Sequence, residues 1–459
     1  MTEPAGDAPT PSPGRETIAD RASAHAGLPG APAHAEGVLR GAGIDPDRLS
    51  IQRLGRGPVR AVAPAWAARL AGGCLLWAGL LALGDRLPAP VAAGANLVAG
   101  LLVLQAACDA FVTATERLAA RRRWDHYVAG TVAEILATLP EFTVIAFLVT
   151  VSPLTAFVTA LITIYVNAMV FSIYSYFLPK DRRGRFLMPE PITSAGTQLL
   201  IAGAAIGLIV GLVMLAFAAT GHPKQVFAPP DLLGLGTILL AIFAVYLTKL
   251  LRGYASEEDA VRTALELSDA DVARRRAQVY REVHRSPAWL LSGLFAIGVG
   301  GALLGGHLVS AFAETALSGL GLNGTLTALV LAASAGMSEY VILWHAHRRQ
   351  EYGIALANAF GGITQVMFLV LPFTLLAIAG YELLTGAAHP ELPLAFTMPN
   401  VLLLLFLFPT FFVLAELLEE NHTLGILDTT ILVAIFGLLL LLLVTYGAHP
   451  PNGSPAAGG

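Results

Sequence analysis

Residues 129–144 read AGTVAEILATLPEFTV, an apolar run that carries Glu134 and Glu141, with Pro140 directly before the second acid. Ionisable groups at membrane depth are rare and generally face a cavity or an ion path. A proline in a membrane helix leaves the carbonyl four residues back, here that of Leu136, without its N–H, so acid and bare carbonyl arrive together. Spacings of three and four place Glu134, Ala137 and Glu141 on one face of a helix. That stripe is built to hold a cation.

The arrangement returns 198 residues later. Without a gap, the shift pairs Glu116 with Glu314, Ala137 with Ala335, Glu141 with Glu339, Phe142 with Tyr340, Val144 with Ile342, Asn167 with Gln365 and Met169 with Met367. Few positions are identical, yet each acid and the polar side chain downstream of it stay in register. This is an internal repeat of the transporter kind.

Composition agrees with a chain solvated by lipid. Of 459 residues 55% are hydrophobic and 13% charged, and mean hydropathy is +0.67, which indicates a polytopic helical membrane protein. Cys74 and Cys108 both lie in apolar segments, so the sequence offers no disulfide framework and no zinc or redox motif. A net charge of −4, with its basic residues spread among loops, argues against a nucleic-acid partner. The partners expected are inorganic cations and the lipid bilayer, and no cofactor is called for beyond the transported ion; protein partners are not legible. The first 60 residues hold no apolar core of signal-peptide length, so insertion is expected to begin with the first membrane helix.

Taken in order, residues 1–62 are rich in Ala, Pro and Gly and read as a disordered cytoplasmic tail. An extra spanning helix is expected within 63–86. A first repeat, 87–251, holds five apolar segments at about 91–120, 126–147, 153–178, 193–219 and 232–251. A charged insert, 252–286, reads as two short amphipathic linker helices on the cytoplasmic surface, with Ser256 and Ser268 as N-caps. A second repeat, 287–449, has segments at about 287–320, 324–344, 353–381, 396–416 and 427–446, followed by a short tail, 450–459. Each segment can cross a core of about 30 Å at about 1.5 Å per residue. The expected fold is thus all-α, two inverted five-helix repeats plus one N-terminal helix, with eleven spans. An odd number of helices per repeat makes the halves enter the membrane from opposite sides.

Loop charges agree with this order. Arg121 to Arg123, Lys180, Arg182, Arg183, Arg185, Arg252, Arg274 to Arg276, Arg348 and Arg349 all fall on one face, against Arg86 and Lys224 on the other. The positive-inside rule makes the basic face cytoplasmic, with the N-terminus inside and the C-terminus outside, in a plasma or inner membrane.

Glu141 and Glu339 are the principal ligand candidates. Each sits about 15 residues into its span, about 22 Å along it, and crossing inverted helices would bring the two together. Two adjacent carboxylates cannot both stay ionised and empty, and one divalent cation, two monovalent cations or two protons relieve them equally in charge. Asn167 and Gln365, each 26 residues after its Glu, either complete an oxygen shell for a hard cation or bridge helices. Asn358 has no polar counterpart, since Ala160 fills that place, and Glu134 faces Ala332; Glu134 is either a third ligand or proton carrier, or the occupant of a polar crevice. Glu116 and Glu314 stand near helix ends and read as interfacial or gate residues rather than central ligands, while Asp109, placed deeper but matched to His307, is a second-tier candidate.

These residues resemble the calcium/cation exchanger superfamily, which has two inverted five-helix halves, each with a motif of the type GTSLPE on its second helix and GNxxGSN on its third. Here the first reads LATLPE, 136–141, and SAGMSE, 334–339; upstream, ACDAFVTATERLAARR, 107–122, is similar to the family's lead-in, Thr131 matches the threonine of its GLT stretch, and ANAFGG, 357–362, falls at the family spacing from Glu339. The resemblance implies that Glu141 and Glu339 are the central cation carboxylates, and extends more loosely to Asn167 and Gln365. Departures are Ala137 and Ala335 for the motif threonine, Ser338 for the motif proline, Ile363 for the asparagine of GSN, and the absence of the GN pair in the first half. What it implies is a cation antiporter working by alternating access, exchanging Ca2+ for H+ or Na+. Other readings are an H+/monovalent cation antiporter and a non-transporting sensor or scaffold with the same fold. No HExxH or GxSxG motif appears, and an enzyme is not expected.

Overall fold

The computed structural model describes residues 65–83, 86–122, 132, 135–180, 184–188, 192–221, 225–264, 288–348, 352–386, 389–419 and 422–447. The tails, residues 265–287 of the linker, Glu134 and Thr131 lie outside the described residues. Helix α1 (Ala65–Leu83) is followed by α2 (Ala89–Arg122), α3 (Leu139–Val151), α4 (Pro153–Tyr174), α5 (Thr197–Thr220) and α6 (Pro229–Ala264). The second half holds α7 (Ala288–Ser318), α8 (Gly324–Ala335), α9 (Met337–Arg348), α10 (Tyr352–Gln365), a π-turn at Val366–Val370, α11 (Leu371–Thr385), α12 (Met398–Glu419) and α13 (Ile426–Gly447). Their starts recur close to the 198-residue spacing: Ala89 and Ala288, Thr197 and Met398, Pro229 and Ile426.

Nine described helices are long and apolar enough to cross a bilayer. Ile135–Val151, which carries Glu141, and Gly324–Ala335, which leads into Glu339, are shorter. The reason corrects the sequence reading, which made each a continuous span. The first is interrupted at Thr138 and the second at Gly336, positions 198 apart, so Ala137 and Glu141 belong to different helical segments rather than to one stripe. A second correction concerns the linker. Helix α6 runs unbroken through Ser256 and Asp259 to Ala264, so Ser256 does not cap a new helix.

Helices cross between the halves where side chains are small, the way membrane helices gain close packing without a hydrophobic drive. Helix α2 crosses α7 at Gly100 and Gly305, where a Cβ on either would stand 3.1 Å from the other's carbonyl oxygen. Helix α5 crosses α12 at Gly207, where a Cβ would stand 2.9 Å from the Leu404 carbonyl. Helix α4 packs against α8 and α10, and α6 against α11. Two short antiparallel ladders add to this: Arg185–Leu187 with Thr423–Gly425, and Val226–Phe227 with Leu394–Ala395. Each joins a loop of one half to a loop of the other.

Helix α1 rides on the outside of this bundle. Its Gly73 approaches Ala99 and Val103 of α2, and its Arg69 forms an ion pair with Asp109. Burial ranks the helices from periphery to centre: 6% of the α1 span is enclosed, against 83% for Pro153–Phe177 and 78% for Asn358–Thr385. The two third helices of the halves are therefore the most enclosed, and a polar site is best screened where other helices pack against them.

Candidate cation site

Both acids stand in the first turn of a helix that begins at a break. At Thr138 the hydroxyl donates to the Ile135 carbonyl at 2.7 Å, while the Thr138 carbonyl accepts from the N–H groups of Glu141 and Phe142 at 3.0 and 3.2 Å. Pro140 sits in the first turn of α3, where it needs no N–H partner. At Gly336 the backbone accepts from the Tyr340 N–H at 3.0 Å. A Cβ at Gly336 would stand 2.6 Å from the Tyr340 hydroxyl, so glycine lets that ring fold back over the break. Each acid thus stands in the first turn of its helix, next to the break that frees the N-terminal end of the helix.

The side chains then converge. A Cβ on Gly362 would meet Glu339 Oε2 at 2.2 Å and Asn167 Nδ2 at 3.0 Å, so α9, α4 and α10 bring carboxylate and amide to one point. Asn358 Nδ2 donates to the Glu339 backbone carbonyl at 3.0 Å, which holds the start of α9 against α10. Gln365 is buried one turn beyond Gly362 on α10. Glu134 cannot be placed, since it lies outside the described residues.

Glu141 is 8% exposed and Asn167 2%. Glu141 Oε2, both amide atoms of Asn167 and the Tyr340 hydroxyl are buried without a hydrogen-bond partner. Each such atom costs about 1–3 kcal/mol, and buried polar groups are otherwise paired. Three of these atoms belong to Glu141 and Asn167, which the 198-residue shift pairs with Glu339 and Gln365, and open carboxylate and amide oxygens suit a hard cation. Glu141 also lines a cavity of about 50 Å³ with Gln105, Thr159, Thr163 and Ser334, room for a few waters at about 10–15 Å³ each. The Thr159 and Thr163 hydroxyls donate to carbonyls of their own helix at 2.7 Å, which leaves their oxygens lone pairs only.

Residues ranked lower in the sequence have other surroundings. Glu314 is exposed near the end of α7, and Asp109 pairs with Arg69. Asp428 accepts from the Gly425 N–H at 2.7 Å and caps the start of α13. Gln105 was not singled out by sequence; it is matched by Leu303 in the second half, so the repeat carried no signal for it.

Residues 286–445 match the family model described as sodium/calcium exchanger protein. The fold is similar to the crystal structure of the H+/Ca2+ exchanger CAX, with a TM-score of 0.55, 13% identity, and coverage of 82% of this chain and 88% of that one. It is also similar to native YfkE, with a TM-score of 0.50, 13% identity, and coverage of 82% and 99%. The sodium-calcium exchanger NCX_Mj, soaked with 10 mM Na+ and 10 mM Sr2+, aligns over 76% of this chain and 97% of its own at 17% identity with a TM-score of 0.46. Curated proteins give no sequence match. At such identities the structural likeness speaks for the fold alone, and the sequence match to the sodium/calcium exchanger model covers the second half, residues 286–445.

Proposed function

We propose that the protein is a membrane antiporter that exchanges Ca2+ for protons by alternating access, with Glu141 and Glu339 as the carboxylates that carry the cation. The observation that carries this reading is that a Glu141 oxygen and both polar atoms of the Asn167 amide are buried without a hydrogen-bond partner. Two carboxylates balance one divalent cation or two protons, so either load leaves the site neutral and ready to reorient; the empty, doubly ionised site is penalised by desolvation. Asn167 supplies a neutral oxygen, which a hard cation accepts. Gln365, Asn358 and Glu134 remain proposed members of the same shell.

Two inverted five-helix halves, 87–251 and 287–449, related by the 198-residue shift, would let one site face each side in turn. Sodium in place of protons is the second choice of driving ion. The basic face is taken as cytoplasmic, in a plasma or inner membrane, with the N-terminus inside. Calcium binding to the purified full chain tests the site: Glu141→Gln is expected to weaken binding at least a hundredfold, and unchanged binding would remove Glu141 from it. Intact calcium binding without flux would instead favour a sensor or scaffold.

A further inference from the structure

The cavity beside Glu141 lies on one side of the helix breaks. Helix α3 runs from its break to Ser152 and α4 starts there, so the cavity-lining residues 140–145 and 159–163 lie between the breaks and the Ser152 end. Toward the opposite, arginine-bearing face, α4 and α9 continue past Asn167 and Glu339. Phe171 and Tyr174 follow Asn167 by four and seven residues, and Leu343 and His347 follow Glu339 by four and eight, which keeps them near the faces that carry the site.

Those faces are closed by rings. Phe171 meets Phe360 edge-on at 6.0 Å between centroids. Beyond it, His347 is surrounded by Tyr352 at 5.5 Å, Tyr174 at 5.7 Å and Phe177 at 6.4 Å, all edge-to-face. The Tyr174 hydroxyl stands 3.4 Å from His347 Nδ1. The repeat supplies an internal comparison. The positions 198 residues from His347, Tyr174, Tyr352 and Phe177 are Val149, Pro372, Leu154 and Leu375, without an aromatic ring or a polar side chain. This His347-centred cage therefore has no counterpart at the repeat-related positions.

From this we infer that His347 and Tyr174, with Tyr352 and Phe177, form the gate between the carboxylate site and the basic face. Their contact must part before a cation passes on that side. The inference rests on the exchanger reading for its purpose, and its test does not depend on flux.

The test is labelling of Leu343→Cys, between the site and the gate, in a chain with Cys74→Ala and Cys108→Ala. A membrane-impermeant maleimide is applied to the face that carries Arg348. Labelling is expected to be slow in this parent, at least tenfold faster with His347→Ala, two- to threefold faster with Tyr174→Phe, and back at the parent rate with His347→Phe, which refills the ring cage. Equal rates in all four proteins, or fast labelling of the parent, would overturn the gate. Should His347→Ala fail to fold, Tyr174→Phe against His347→Phe carries the same comparison. Absent calcium flux with the expected labelling order would count against the exchanger reading and leave the gate standing.

Discussion

Replacing Gly362 with alanine separates the site from the fold. The new methyl carbon would stand 2.2 Å from Glu339 Oε2, where ordinary contact begins at 3.4 Å, so the carboxylate must retreat by about 1.2 Å. Asn167 Nδ2, at 3.0 Å, is crowded as well. The obstruction is the far end of a flexible side chain, which can turn away at small cost. Alanine in place of glycine inside a helix gains about 0.5–1 kcal/mol of backbone entropy, against about 1–3 kcal/mol for an overpacked core that cannot yield. Thermal stability is therefore expected to move by no more than about 1 kcal/mol. Function is not so lenient, because a misplacement of about 1 Å costs on the order of a hundredfold, or about 2.7 kcal/mol of affinity. Calorimetric titration of the detergent-solubilised chain with calcium, beside a melting curve, reads both. An affinity within twofold of the parent would refute the placement of Glu339 at the cation.

Other substitutions probe the frame around the site. Glu391 accepts from the Ser152 hydroxyl at 2.8 Å and the Leu154 N–H at 3.1 Å, capping the start of α4; Glu391→Ala is expected to lower stability by about 1 kcal/mol, read as a drop in melting temperature. Gly100→Leu would drive a side chain into Val309 and the Gly305 carbonyl, 2.8 and 3.1 Å from its Cβ. It should cost at least about 1–3 kcal/mol, seen as a lower melting temperature or loss of the folded monodisperse peak, whereas Gly94→Leu, with open space around it, should be neutral.

What the sequence made legible follows from which signals are local. Membrane helices announce themselves by length and apolarity, and the gapless pairing of Glu141 with Glu339 places two acids in matching surroundings before any coordinates exist. The breaks were only half visible. Pro140 signals a disturbed helix in the first half, but Gly336 in the second has no proline near it, and a glycine in an apolar run also occurs in helices that continue, as Gly207 does in α5. Asn167 was named by its spacing, yet its meeting with Glu339 depends on Gly362, a residue of another helix whose missing side chain leaves room for both. Such convergence is tertiary, and neither periodicity nor composition encodes it. The extent of α6 was misjudged because Ser256 followed by Glu257, Glu258 and Asp259 resembles a helix start, while charged residues beyond a membrane edge can equally continue a helix into water.

The central claim is that two carboxylates shared between the halves exchange calcium for protons. Calcium uptake into proteoliposomes under an acid-inside pH gradient and, separately, a sodium gradient tests it most directly, with the parent set beside Glu141→Gln and Glu339→Gln. The account predicts uptake driven by the pH gradient and abolished by either substitution. Uptake that persists in either glutamine variant, or that follows sodium and ignores pH, would contradict it.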